Sequence, residues 1–185
     1  MANEPSPSME MAVVDVLSAA PKSREAWEAQ LGEGTPPMSD EAVLIENMVA
    51  MVNRHGALIV QLTVSPETHA ELEASLTGAV KRVPAWIEAR FNGPPLMSPR
   101  VFIRGLAQLL GEHRLAIARV TAEQVQEPKP IEELLAAAPL PGGGEGESDG
   151  EMIAAVGEAT VAHAEALVEI ARDFDRLRRE LAEPD

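Results

Sequence analysis

The chain carries four histidines, His55, His69, His113 and His163, and no cysteine. Imidazole is therefore its nitrogen donor for a transition metal or a haem iron, and thiolate sites and disulfides are excluded. Three of the four stand in the same setting, on apolar residues spaced three and four apart. The first run is Ile45, Met48, Val52, His55, Ile59 and Leu62. The second is Ile103, Leu106, Leu110, His113, Ile117 and Val120, and the third is Ile153, Val156, Thr160, His163, Leu167 and Ile170. Such spacing draws a continuous stripe along one side of a helix. The first and second runs agree in residue type at every stripe position. Small residues stand close by: Gly56 and Ala57, Gly111 and Ala116, Gly157 and Ala159. Imidazoles facing one another across a bundle, with room left by small neighbours, can ligate a metal ion or a haem iron.

Helix height sorts the four. At about 1.5 Å per residue, His55 lies about 24 Å and His113 about 22 Å from their helix starts. His163 lies about 20 Å from the start of a last helix expected to run the other way, so the three share one middle layer of a bundle about 39 Å long. His69 lies only about 6 Å from its cap and falls outside the set. The site expected from the sequence is thus His55, His113 and His163, as cofactor or metal ligands for haem or a divalent metal. A histidine on an apolar stripe is also an ordinary core residue satisfied by one hydrogen bond. No carboxylate supports the ligand reading: the residues three before the histidines are Val52, Pro66, Leu110 and Thr160, so the Glu-x-x-His pattern of di-iron bundles is absent.

No catalytic residue is assigned. The chain has no phosphate-binding glycine loop followed by Lys and Ser or Thr, and no Gly-x-Ser-x-Gly elbow. GGGEGESDGE has glycines and acids without the alternating spacing of a calcium loop.

Four long helices have to position these side chains. One begins at Ser39 with Asp40 and Glu41 in its first turn and reaches residue 63. Ser65-Pro66-Glu67 opens a second over 66–91, with a stripe of His69, Leu72, Leu76, Ala79, Val83 and Trp86, a kink at Pro84 and a stop at Asn92-Gly93-Pro94-Pro95. Ser98-Pro99 opens a third over 99–125, and a fourth spans 150–182. Residues 1–38 read as a tail with short helices, the first from Ser8 to Ala20 and the next around Ser23, Trp27 and Leu31. The MAVVDVL core of that first piece reads equally well as a strand. Residues 127–149 read as a connector with a short helix over 131–138 and a flexible, acidic, glycine-rich end.

The fold class expected is all-α: an antiparallel four-helix bundle over 39–185, with short N-terminal helices and that flexible connector before the last helix. The alternative is α+β, with strands near 57–64 and 114–120 after Gly56 and Gly111. Composition agrees with helices. Aromatics are 3% with no tyrosine, so the core is built from Ala, Val, Leu, Ile and Met.

A net charge of −15 over 185 residues opposes nucleic-acid and anionic-membrane binding. The first residues, MANEPSPSMEM, show no basic region before an apolar run, and no apolar run reaches the roughly 20 residues of a membrane span. A cytoplasmic location is expected. With no catalytic motif and strong amphipathic stripes, the leading functional reading is a non-catalytic interaction protein: an adaptor, assembly component or escort. Its support is surplus apolar surface on the first long helix, at Leu44, Val49, Met51, Leu58 and Val60, which implies a protein partner or self-association. The alternative is a haem- or metal-binding bundle using the three histidines.

Overall fold

The computed structural model describes residues 8–19, 40–80, 99–142 and 146–182. Six helices occur among them: α1 (Met9–Ser18), α2 (Asp40–Gln61), α3 (Pro66–Val80), α4 (Pro99–Gln124), α5 (Lys129–Ala137) and α6 (Asp149–Ala182). No strand occurs among the described residues, and the α+β alternative gives way to helix at 57–61 and throughout 114–120. Gly56 and Gly111 lie inside unbroken helices. A mid-helix glycine costs about 1 kcal/mol, whereas Val52 and Ile59, or Leu110 and Ile117, bury whole side chains on either side of it. The MAVVDVL segment is helical as well. The expectations for residues 1–7, for Ser23, Trp27 and Leu31, for Ser39, and for Pro84, Trp86 and Asn92–Pro95 lie outside the described residues.

Local chemistry sets the helix starts. The Ser8 hydroxyl accepts from the Met11 N–H at 3.2 Å, and the Ser65 hydroxyl accepts from that of Thr68 at 3.3 Å. At α6 the cap is reciprocal: Ser148 Oγ accepts from the Glu151 N–H at 3.2 Å, while the Glu151 carboxylate accepts from the Ser148 N–H at 2.8 Å. These bonds hold the Glu151 carboxyl below its usual pKa, the Ser148 backbone contributing most.

Contacts along the three long helices fix their directions. Near their starts, Arg100 of α4 lies 3.5 Å from Asp149 of α6. Midway, Arg114 meets His163, and past the end of α4 the Gln126 N–H donates to Asp173 at 3.3 Å. Met48 of α2 lies against Gly157, and Gln124 at the end of α4 donates to the carbonyl of Leu62, just past α2, at 2.7 Å. Helices α2, α4 and α6 therefore run the same way. The antiparallel order expected for the last helix is not what these contacts describe.

The connector is the reason. From Gln126 the chain runs back along the bundle: Ile131 and Leu135 of α5 bury in the core, and Leu140 packs on Gly111. The Glu147 carbonyl then accepts from Arg100 at 2.6 Å. Residues 127–142 and 146–149, expected to be a connector with a short helix over 131–138 and a flexible end, contain that helix as α5 and form a return strap that lets α6 start beside the start of α4. Helix α3 also runs back, because Thr68 meets Glu123 at 2.7 Å and Glu71 meets Arg119 at 2.5 Å. Its buried stripe is Thr68, Leu72 and Leu76, and His69 is exposed.

Helix α1 lies antiparallel on α6. The Asp175 carboxylate accepts from the Met9 and Glu10 N–H groups at 2.8 and 3.0 Å, capping α1 from the other end of the sequence. Glu10 pairs with Arg172 at 2.7 Å.

The core falls into two apolar clusters. One gathers Met48, Val49, Val52, Ile103, Leu106, Leu110, Met152, Val156 and Ala159 from the first halves of α2, α4 and α6. The other gathers Leu58, Ile59, Leu62, Ile117, Val120, Leu167 and Ile170 from their second halves, with Val13, Leu72, Leu76, Ile131 and Leu135. Of the apolar surplus expected on α2, Val49 and Leu58 are buried within this chain, Met51 and Val60 are half-buried, and the Leu44 side chain lies outside the described residues.

Candidate functional site: a buried histidine layer

His55, His113 and His163 occupy the level between the two apolar clusters. His55 and His113 are three residues and His163 four residues past one cluster, and each is three or four before the other: Val52 and Leu58–Ile59, Leu110 and Ala116–Ile117, Ala159 and Ala166–Leu167. All three are 0% exposed. The parallel course of α2, α4 and α6 puts the three histidines at one level, although the direction expected for α6 is the opposite one. His69 stays outside it, on the surface. Its Nδ1 is 2.9 Å from the Thr63 hydroxyl and 3.1 Å from the Val60 carbonyl.

Within the layer the rings of His55 and His163 have centres 6.4 Å apart and planes inclined at 46°. Two imidazoles bound to one zinc at about 2.0–2.1 Å place their centres about 5–6 Å apart. At 6.4 Å the pair is thus wider than a shared ion requires, by about 0.4–1.4 Å. His113 is close enough to both to act on them electrically. Among the described residues no group of three or more His, Asp or Glu side chains is placed to hold a metal ion. Uptake of an ion would require the rings to converge.

What sets the layer apart is its hydrogen bonding. Both ring nitrogens of His55, both of His113, and Nδ1 of His163 are buried without a partner. A neutral imidazole presents one donor and one acceptor, and a buried polar group left unpaired costs about 1–3 kcal/mol. No protein group supplies His55 or His113 with the one hydrogen bond usual for a core histidine. The buried Thr121 hydroxyl likewise has no protein partner, whereas buried Thr160 bonds the Val156 carbonyl at 2.7 Å.

Burial keeps the rings neutral. Desolvation lowers His55 to a pKa of about 3, with help from His163 and His113. It lowers His113 to about 4. His163 goes down to about 3, first by burial and then through the Arg114 charge and His113. Neutral rings are also the metal-binding form.

Arg114 was not among the residues singled out from sequence. It follows His113 directly and points to the side of the stripe, half-buried. Its Nε donates to His163 Nε2 at 3.2 Å, and its terminal nitrogen donates to the Ala138 carbonyl, just past α5, at 2.7 Å. Accepting that bond requires a lone pair on Nε2, so the His163 proton sits on Nδ1. A basic residue beside a stripe histidine was the available signal, but only the return of the strap brings Ala138 within reach.

The described residues form helices and no strand, with a buried histidine layer in their core. No protein-family model matches the chain, and comparison with curated proteins and with solved structures gives no match. No helix among the described residues is long and apolar enough to cross a membrane.

Proposed function

We propose that the protein binds one transition-metal ion through the His55, His113 and His163 layer. The supporting observation is the pair of buried rings, His55 and His113, whose nitrogens have no protein partner; an ion would engage one nitrogen of each. Three neutral imidazoles are a sufficient donor set for zinc, with a fourth position open to water. An all-imidazole set also suits cobalt, nickel and copper, and discriminates against magnesium and calcium. With no carboxylate among the donors, the bound ion keeps its charge, so a hydroxide or small anion in the fourth position would stabilise it. Haem fits this reading less well than a bare ion. A porphyrin needs far more room than an ion, and the three rings are fully buried between the two apolar clusters.

The interaction reading rests on a different observation. The exposed large apolar side chains among the described residues are Met11, Val14 and Val16 of α1, Val64 after α2, Val101 and Leu115 of α4, and Val161 of α6. They are spread over several elements, whereas the unpartnered ring nitrogens gather in one buried layer. Metal binding is therefore the preferred reading.

The test is titration of untagged, metal-stripped protein with Co²⁺, followed by its visible absorption and competed with Zn²⁺. One equivalent giving the intense bands of a four-coordinate ion is expected. A protein that takes up neither ion would overturn the proposal.

A further inference from the structure

The six described helices sort into three pairs. Long helices α2, α4 and α6 run one way and pack against one another, while short helices α3, α5 and α1 run back along them. Each short helix lies on two long ones: α3 on α2 and α4, α5 on α4 and α6, and α1 on α6 and α2. All three feed the same apolar cluster, through Leu72 and Leu76, Ile131 and Leu135, and Val13. Every groove between long helices thus holds one short helix, but the three are tethered differently. The α2–α4 and α4–α6 grooves take the helix that follows in the chain, across residues 62–65 or 125–128, four residues each. So short a link returns its helix to its own bundle. The α6–α2 groove takes α1, which is joined to α2 across residues 19–39, twenty-one residues. At about 3.3–3.6 Å per extended residue, such a link reaches up to about 70 Å, twice the roughly 33 Å length of α2.

We propose that the groove between α6 and α2 is a helix-docking site whose second occupant is α1 of another copy of this chain, two copies exchanging α1 to form a dimer. The groove holds its helix by both ends. Asp175 of α6 accepts from the Met9 and Glu10 N–H groups at 2.8 and 3.0 Å, at the positive end of the α1 dipole. Arg54 of α2 donates to the Ala19 carbonyl at 3.4 Å, at the negative end. Between these ends Arg172 pairs with Glu10 at 2.7 Å, and Val13 is fully buried. The contacts select a ten-residue helix with an acid in its first turn and an apolar residue at its fifth position. α1 meets that description whichever copy carries it, and each contact just named forms equally well between copies. Only the link tells the two arrangements apart, so exchange costs the association of two chains and nothing at the groove. The inference does not rest on the metal-binding reading, because each bundle of the exchanged dimer keeps its own His55, His113 and His163.

The chain has no cysteine, so single introduced thiols report the exchange. Full-length Glu10→Cys and Arg172→Cys proteins are mixed at high concentration, unfolded in urea, refolded together and oxidised. Each has one thiol, so a disulfide joining the two substituted positions forms only between copies. The control mixes Glu10→Cys with Glu158→Cys, whose exposed thiol stands about 21 Å from position 172 along α6. The Glu10–Arg172 pairing is expected to give roughly tenfold or more heterodimer than the control, because docking raises the effective concentration of the two thiols. Light scattering of wild type refolded in the same way should show a dimer whose share grows with protein concentration. Val13→Asp, which removes the apolar anchor of α1, should abolish that dimer and, placed in the Glu10→Cys chain, the excess disulfide. A heterodimer no more abundant than the control, or a wild-type chain monomeric at every concentration, would overturn the exchange and leave the Co²⁺ result untouched. A wild-type dimer without the Glu10–Arg172 disulfide would place the contact on another face and would overturn it as well.

Discussion

The behaviour of the three buried imidazoles follows from where their protons can go. In the unfolded chain each ring titrates near 6.5, whereas in the core His55 and His163 are lowered to about 3 and His113 to about 4. The folded state thus refuses protons that the unfolded chain accepts. Stability is full above pH 6.5 and is lost as pH falls from there toward 4, by up to about 1.4 kcal/mol per pH unit for each histidine. Urea titrations at pH 7.5 and 5 should show a marked drop in the unfolding midpoint. In a His55→Leu, His113→Leu double variant that drop should shrink by more than half; a drop of unchanged size would mean that other groups carry it. Ligand removal separates the four histidines differently. His55→Ala, His113→Ala and His163→Ala should each lose Co²⁺ binding, while His69→Ala, altered on the surface, should bind as wild type. Loss of binding in His69→Ala would place the site elsewhere.

Among the helices, the decisive element is the short α5 with the segment after it. Ile131 and Leu135 are 2% and 7% exposed, and both pack into the cluster beyond the histidines. If this segment were a loose link, truncating Leu135 would cost almost nothing. As part of the core, Leu135→Ala should cost about 2–4 kcal/mol, read by chemical denaturation. Ser148→Ala should cost about 1 kcal/mol by removing the reciprocal cap that starts α6. A Leu135→Ala protein as stable as wild type would return the strap to the status of linker.

The same segment shows what the sequence did and did not disclose. The stripes Val52–His55–Ile59, Leu110–His113–Ile117 and Thr160–His163–Leu167 revealed helices and a shared level, because burial enforces the three–four period. Direction was not encoded in any stripe. It depended on whether 127–149 crosses the bundle or runs its length, and PLPGGGEGESD reads as a flexible link on composition alone. Ser148 and Glu151 spell a capping box that marks where the strap ends. For α3, His69 suited the apolar pattern as well as Thr68 did, but Thr68 is the one that reaches Glu123 across α4. Arg114 was illegible for the same reason as the direction of α6: its partners come from distant segments.

For the molecule as a whole, the histidine layer is a seam between two apolar cores, each of which buries its side chains well. An ion bound at the seam would tie α2, α4 and α6 together at mid-height, and its binding energy would add to folding energy. At a free Zn²⁺ concentration about 100 times the dissociation constant, the gain is about 2.7 kcal/mol, or a rise of about 5–10 °C in Tm for a chain of this size. A His113→Ala protein should show no such rise. The central claim, that these rings jointly hold one metal ion, is tested most directly by X-ray absorption of the untagged protein loaded with one equivalent of Zn²⁺. A first shell at about 2.0–2.1 Å, with the outer-shell scattering of two or three imidazoles, is the expected spectrum. A shell of oxygens alone, or the scattering of a single imidazole, would contradict it.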